Sequence, residues 1–473
     1  MNFKSILFFL GVYSSIISFF AFLNILYSIH FNFILDIKSY FYCLIISLFS
    51  GVLFILIGSK QVSNISLNNQ ILLIILGFVF LPALISVPYY FSSYDISFIN
   101  SYFESISGFT STGFTILNNL EDINEPLLLW RSSSQWIGGI FFLISIIGTT
   151  GTNQIKIKPS YLMQGMTSSS NFYNNFVDNF FKIAIIYFLS TILILFLYNS
   201  TGIRLFDCLN LAMTVISSGG FVPSSNLSNI VYSDTQVLIL SITLLLPILN
   251  FFILFNVFTN QFKLKNHQED LHLIIIIFIL ILLFYFLIIT DAGITEVILA
   301  ITSSISTSGI GIYSSSFDIS LFLILLTIMG GSLISTSSGV KYVRFYILLK
   351  VSYQEIYKLA KPINIFDKNL FNTESKINND DTKIAFLVFV SFIFSIFILS
   401  SILTLDNLDF ENAFKLSILT LTNTTTSSLY GLENLIFFDL NIFTKMTLIT
   451  FMILGKIEII AILFLIRNFI FKE

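Results

Sequence analysis

Four short runs of serine, threonine and glycine carry the oxygen-rich chemistry of this 473-residue chain. Phe103-Glu-Ser-Ile-Ser-Gly-Phe109 leads into Thr110-Ser-Thr-Gly-Phe114, and Phe206-Asp-Cys-Leu-Asn-Leu-Ala-Met-Thr214 into Ile216-Ser-Ser-Gly-Gly-Phe221. Val297-Ile-Leu-Ala-Ile-Thr302 leads into Ser306-Thr-Ser-Gly-Ile310, and Phe414-Lys-Leu-Ser-Ile-Leu419 into Leu421-Thr-Asn-Thr-Thr-Thr-Ser427. Such turns suit the dehydration of a cation, which needs several oxygens at once, as rings of backbone carbonyls provide. Glycine permits the φ and ψ that turn carbonyls toward an axis. Ser and Thr add hydroxyls. A helix ending at each turn would aim its negative end at the same axis.

Other chemistry lacks its residues. No H-E-x-x-H or comparable nucleophile constellation occurs, so the chain reads as no enzyme and as needing no cofactor. No GxxxxGK[ST] loop occurs, so nucleotide control would come from another chain. His30, His267 and His272 are not spaced as a zinc site, and read as helix-end residues. The two cysteines, Cys43 and Cys208, do not make a disulfide framework. A formal net charge of -3 argues against nucleic acid.

The elements that must position the turns are membrane spans. The chain is 55% hydrophobic and only 10% charged, with a mean hydropathy of +0.90. A soluble domain carries about 25% charged residues, so this chain needs lipid as its solvent. Runs long enough to cross a bilayer lie at Ser5–His30, Tyr40–Ser59, Gln70–Tyr90, Leu127–Thr149, Phe176–Tyr198, Thr235–Phe258, Leu271–Thr290, Leu321–Tyr346, Thr382–Leu403 and Ile442–Phe471. Lys and Arg gather in the segments that an inside N-terminus makes cytoplasmic, among them Lys60, Lys156, Lys263, Lys350 and Lys376. The outer loops are acidic by contrast, with Glu104, Glu121, Asp207 and Asp409 among others; this reads equally as a hydrated surface or a cation-concentrating vestibule. Arg131, where the fourth span begins, reads as an interface anchor.

Between outer turns and spans the chain repeats one format, a span, a short helix, a turn and a second span. Four copies imply a pseudo-fourfold arrangement. The expected fold is an all-α polytopic membrane protein with an N-terminal helical hairpin and four such repeats. Its segments are residues 1–62 (hairpin), 63–170, 171–264, 265–375 and 376–473.

These residues resemble the Trk/Ktr/HKT potassium-uptake superfamily, from Gln70 to the C-terminus. Leu129-Trp-Arg-Ser-Ser-Ser-Gln-Trp-Ile-Gly-Gly139 is similar to that family's Trp-Arg-Ser-x-x-Gln-Trp-x-Gly-Gly hallmark. Met329-Gly-Gly-Ser-Leu-Ile-Ser-Thr-Ser-Ser-Gly-Val-Lys341-Tyr-Val-Arg344 is similar to its glycine-broken third M2 helix, and Leu454-Gly-Lys-Ile-Glu458 to its Leu-x-Gly-Arg-x-Glu. The extra hairpin points to the TrkH-like branch.

The resemblance implies a filter of Thr110, Ser111, Thr112 and Gly113; Ser218, Gly219 and Gly220; Thr307, Ser308 and Gly309; and Asn423, Thr424 and Thr425. In the fourth copy the glycine is missing, and Thr425 or its immediate neighbour takes its place. Loss of a filter glycine accompanies sodium permeation in the HKT branch, and a β-branched residue strains φ > 0. The resemblance further implies a gating loop of Gly330, Gly331, Ser335, Thr336, Ser337, Ser338 and Gly339. Lys341, Arg344, Lys456 and Glu458 are candidate pore charges, since charge at membrane depth is costly. The implied function is uptake of potassium, the transported ion and sole metal, by the conducting subunit of a Trk-type system. A sodium-permeable or cation-coupled secondary transporter of the same fold is the alternative. The implied setting is a bacterial cytoplasmic membrane with the N-terminus inside. The implied partners are a second copy, as a homodimer, and a cytoplasmic RCK/TrkA-type nucleotide-binding subunit.

Overall fold

A computed structural model describes residues 3–59, 67–150, 172–258, 267–288, 293–312, 319–360, 369–371, 377–406, 408–432 and 435–457. The four expected segment boundaries and Glu458 lie outside these residues.

The chain opens with a hairpin of α1 (Phe3–His30) and α2 (Ile37–Gly58). The two helices touch at glycine: a Cβ on Gly11 would lie 2.8 Å from the Gly51 carbonyl oxygen. Four units follow. The first is α3 (Leu67–Tyr90), α4 (Phe98–Phe109) and α5 (Glu125–Thr150). The second is α6 (Phe172–Ser200), α7 (Leu205–Ile216), α8 (Asp234–Thr243) and α9 (Phe251–Phe258). The third is α10 (Gln268–Leu283), α11 (Ile294–Ile305), α12 (Ser320–Met329) and α13 (Tyr342–Ala360). The fourth is α14 (Asn379–Leu405), α15 (Phe410–Leu421) and α16 (Ile442–Ile457).

The short helices α4, α7, α11 and α15 have 12 residues each. At 1.5 Å per residue that is about 18 Å, too short to cross a bilayer core of about 30 Å. Each dips in and returns. The helix after the turn packs on the short helix of the next unit: α5 on α7, α8 on α11, α12 on α15 and α16 on α4. The fourth unit thereby meets the first, and the ring closes. The hairpin stands outside it, with α1 against α3 and α5 and α2 against α3.

Large apolar side chains cover the outside. Phe49 and Leu56 on α2, Phe196 on α6, Phe278 on α10 and Phe394 on α14 are all exposed. A continuous apolar surface of this size has no place in water. Among the described residues, six helices are long and apolar enough to cross a membrane by length and composition. α5 is not one of them; its Arg131, Ser132, Ser133, Ser134 and Gln135 are buried. The molecule is a multi-pass helical membrane protein.

Two expected spans are not continuous. The run Leu321–Tyr346 stops at Met329 and resumes at Tyr342, with the glycine-rich segment between them. The run Thr235–Phe258 also stops, at Thr243, and its helix resumes only at Phe251. Pro247 supplies no N–H there, and the peptide groups this break frees are taken up by the other one. The Pro247 carbonyl accepts from Ser337 N (3.2 Å), and the Ile248 carbonyl from Ser332 N (2.8 Å). The last expected span is helical over Ile442–Ile457 and leaves the described residues beyond it.

Candidate functional site

Each short helix ends in the same way. The N–H of Thr112 donates to Ser107 O, of Gly219 to Thr214 O, of Ser308 to Ser303 O and of Thr424 to Leu419 O, at 2.9 to 3.1 Å. These are Schellman caps, which require a left-handed residue just past the helix. That residue is Ser111 (φ 59), Ser218 (φ 56), Thr307 (φ 58) and Asn423 (φ 48). A non-glycine residue in this region is strained, and such strain persists where the surroundings over-determine it. Its recurrence at one offset in four turns fixes their register. Two residues on stand Gly113, Gly220, Gly309 and Thr425.

These four positions meet. A Cβ on Gly113 would lie 2.8 Å from Thr425 Cβ and 3.1 Å from Gly220 Cα. On Gly309 it would lie 2.7 Å from the Thr425 carbonyl oxygen, and on Gly220 it would collide with the Thr425 side chain. Gly113 and Gly309 take positive φ, but Gly220 and Thr425 do not. The strain expected of a β-branched residue at Thr425 therefore does not arise, because the left-handed residue of that turn is Asn423. Thr425 Oγ1 instead donates to the Gly113 carbonyl (2.7 Å).

The hydroxyls of Thr110 and Thr112 bond each other (2.7 Å), as do Ser306 and Ser308 (3.0 Å) and Thr422 and Thr424 (3.0 Å). These bonds tie each of the three turns to itself. Asn423 Nδ2 ties the fourth turn to Thr112 Oγ1 and to the Met452 carbonyl, both at 2.9 Å. Ser218 and Thr307 hydroxyls stand 3.3 Å apart between the second and third turns. A Cβ on Gly219 would strike the Gln135 carboxamide, which explains the double glycine there. Gly138 and Gly455 seat their helices on the last carbonyls of α4 and α15; a methyl group at either would overlap Phe109 O or Leu421 O.

Arg131 is not an interface anchor, and Glu104 is not on a hydrated surface. Both are buried, with Arg131 Nε 2.9 Å from Glu104 Oε1. Glu104 also accepts from Thr115 Oγ1 (3.0 Å) and Ile116 N (2.8 Å), fixing the chain as it leaves the first turn. The Arg131 guanidinium lies 4.1 Å from the centre of the Phe221 ring, beside the second turn. Removing one partner of a buried pair costs about 3–5 kcal/mol. Arg131→Met is thus expected to lower the thermal midpoint of the detergent-solubilised protein steeply; a midpoint equal to the parent's would refute the brace. The two tryptophans of the same segment also find partners, Trp130 Nε1 on Ile85 O and Trp136 Nε1 on Thr191 Oγ1, both 3.0 Å. In the segment after the first turn Glu121 accepts from Ser225, whose hydroxyl is the main cause holding its carboxyl below the usual range.

Below the turns lies the break Gly330–Lys341. Gly330 (φ 63) and Gly339 (φ 84) allow its reversal. A Cβ on Gly331 would strike Ile248 O. Within the loop Ser335 Oγ donates to Ser332 O (2.6 Å), and Gly331 N to Ser337 Oγ (3.0 Å). Its tip is bonded to the turns above: Thr336 Oγ1 donates to Ile216 O (3.0 Å), Ser218 Oγ to Thr336 O (3.4 Å), and Ser338 N to Thr307 Oγ1 (3.0 Å).

The candidate charges sit around the same loop. Lys456 Nζ donates to Thr336 O and Ser338 Oγ, both 3.2 Å, and lies 4.5 Å from the Phe142 ring centre. Lys341 Nζ donates to Ser335 O (3.2 Å) and lies 5.9 Å from that ring. Arg344 donates to Val340 O (3.0 Å). Sequence reasoning missed Glu269 and Asp270, which also reach this loop. The one sequence signal was a pair of acids at the start of an apolar run.

No family model matches the chain. It is 27% identical to an uncharacterized cation transporter of Methanocaldococcus jannaschii over 479 residues, covering 99% of this chain and 96% of that one. It is 23% identical to the Trk system potassium uptake protein TrkH of Escherichia coli over 435 residues, 88% of each. It is 26% identical to TrkI of Halomonas elongata over 425 residues, 84% of this chain and 83% of that protein. The crystal structure of TrkH from Vibrio parahaemolyticus superposes with a TM-score of 0.84 at 21% identity, covering 98% of each chain. In sequence the chain is similar to Trk system potassium uptake proteins over most of its length, and its fold is that of TrkH.

Proposed function

We propose that this chain is the ion-conducting subunit of a Trk-type potassium-uptake system, with the four turns as its filter and Gly330–Lys341 as its gate. The observation that carries the reading is the convergence of Gly113, Gly220, Gly309 and Thr425 at the ends of four short helices. Helix C-termini there favour a cation, and main-chain carbonyls can replace its water. The relatives with an assigned substrate are named for potassium uptake. The membrane is the cytoplasmic membrane of a bacterium, the N-terminus is inside, and a negative interior drives entry by about 2.3 kcal/mol per charge per 100 mV. The chain works as a homodimer with a cytoplasmic nucleotide-binding subunit of the RCK/TrkA type, since it carries no phosphate-binding loop itself.

Thr425 supports a second reading, a sodium-permeable pore, because one of four corners differs from the rest. Rubidium and sodium uptake by the purified chain in liposomes separates the two. Rubidium uptake well above sodium supports a potassium pore, equal uptake the second reading, and no uptake of either would defeat both. Gly113→Ser is expected to lower the rubidium-to-sodium ratio; an unchanged ratio would place the filter elsewhere.

A further inference from the structure

The two helix breaks form one unit, and two carboxylates hold it. The break after α8 and the break after α12 exchange main-chain hydrogen bonds: Ser332 N to Ile248 O (2.8 Å), Phe251 N to Ile334 O (2.7 Å) and Ser337 N to Pro247 O (3.2 Å). From the first turn of α10, Asp270 Oδ1 accepts from Asn250 N in one break (2.8 Å) and from the Ser332 hydroxyl in the other. Its neighbour Glu269 Oε1 accepts from Leu333 N (2.9 Å). Asp270 is 2% exposed. Its second oxygen faces His267 Nδ1 at 3.5 Å, and His267 Nε2 stands 3.1 Å from Asn256 Nδ2 on α9.

A buried carboxylate is costly unless its oxygens are taken up by donors. Here three of the donors, Asn250 N, Ser332 Oγ and Leu333 N, belong to the two segments of broken helix, so the carboxyl groups and the breaks help satisfy one another. The loop therefore has two attachments. Its tip is bonded under the second and third turns, and its base is bonded to α10 and to the break beside α9. A loop held only at the tip could swing aside freely.

We infer that Glu269 and Asp270 are positioning residues that clasp the loop across the ion path, so that opening requires these carboxylate bonds to break. The inference rests on the reading of Gly330–Lys341 as an obstruction beneath the filter. It assigns the second helix break a role as well, because Asp270 holds Asn250 and Ser332 with one oxygen. Opening of the loop must then move α9 or release it.

The test is rubidium and sodium influx into liposomes holding the full chain, normalised to folded protein by gel filtration. Asp270→Asn keeps the shape of the side chain and weakens two bonds. Ser332→Ala removes one of those bonds from the loop side. Charge-assisted hydrogen bonds being among the strong ones, rubidium influx should rise about tenfold or more in Asp270→Asn. It should rise less in Ser332→Ala and in Glu269→Gln. The double variant should fall short of the product of the singles, since they share a bond. The rubidium-to-sodium ratio should stay at the parent value, because the filter is untouched. A purely structural role would lower folded yield and influx together. A parent chain that conducts while the variants equal it or conduct less overturns the clasp alone. A parent chain that passes neither ion, with Ile334–Ser338 deleted or present, overturns the conduction reading and the clasp with it.

Discussion

Replacing Thr425 by glycine is expected to raise rubidium flux about tenfold. The Thr425 side chain occupies the space toward which Gly113, Gly220 and Gly309 are bare. Its hydroxyl binds the Gly113 carbonyl at 2.7 Å, so that oxygen is shared between a protein donor and any passing ion. A net hydrogen bond contributes about 1 kcal/mol, and about 1.4 kcal/mol is a tenfold change in a rate or equilibrium. Loss of the bond together with the bulk places the effect near that decade. Thr425→Val separates the two causes: it keeps the volume and removes the donor. If valine conducts like glycine, the hydroxyl is the restraint; if it conducts like threonine, the bulk is. Parent-level flux in both variants would show that Thr425 does not face the path.

Lys456→Met should produce a larger rise, about a hundredfold. The ammonium of Lys456 fixes Thr336 O and Ser338 Oγ at the tip of the loop. It also sets a positive charge beneath the turns. A cation passing at about 6 Å, with an effective dielectric of about 20, meets a barrier of about 3 kcal/mol. Methionine has similar length and no charge. Influx at low internal sodium, compared across ionic strengths, measures the change. Flux that stays within a factor of two of the parent's would mean that the ion path avoids Lys456. Deleting Ile334–Ser338 should raise open probability as well, and unaltered flux in that variant would count against gating by the loop.

Much of this architecture could be read from residue types because it depends on local chemistry. The turns announce themselves through Ser, Thr and Gly at repeating places, and the third break through its glycines. The break between Thr243 and Phe251 could not be read in this way. Its residues are apolar and continue the run, a single proline is compatible with a membrane helix, and the partners that stabilise it, Ser332 and Asp270, are far away in sequence. Arg131 was misread for the same reason: Glu104, its partner, lies 27 residues away on another helix. The fourth turn shows the reverse error. Local reasoning put strain at Thr425 because a glycine was missing, whereas the left-handed position belongs to Asn423, two residues earlier.

The left-handed quartet Ser111, Ser218, Thr307 and Asn423 carries a consequence for how such a ring can vary. A pore assembled from four identical subunits changes all of its walls whenever one codon changes. Here each wall is written separately, on a backbone that every turn already shares. On the proposed reading mutation can adjust the aperture one quarter at a time, and Thr425, set against Gly113, Gly220 and Gly309, is such a single-sided difference.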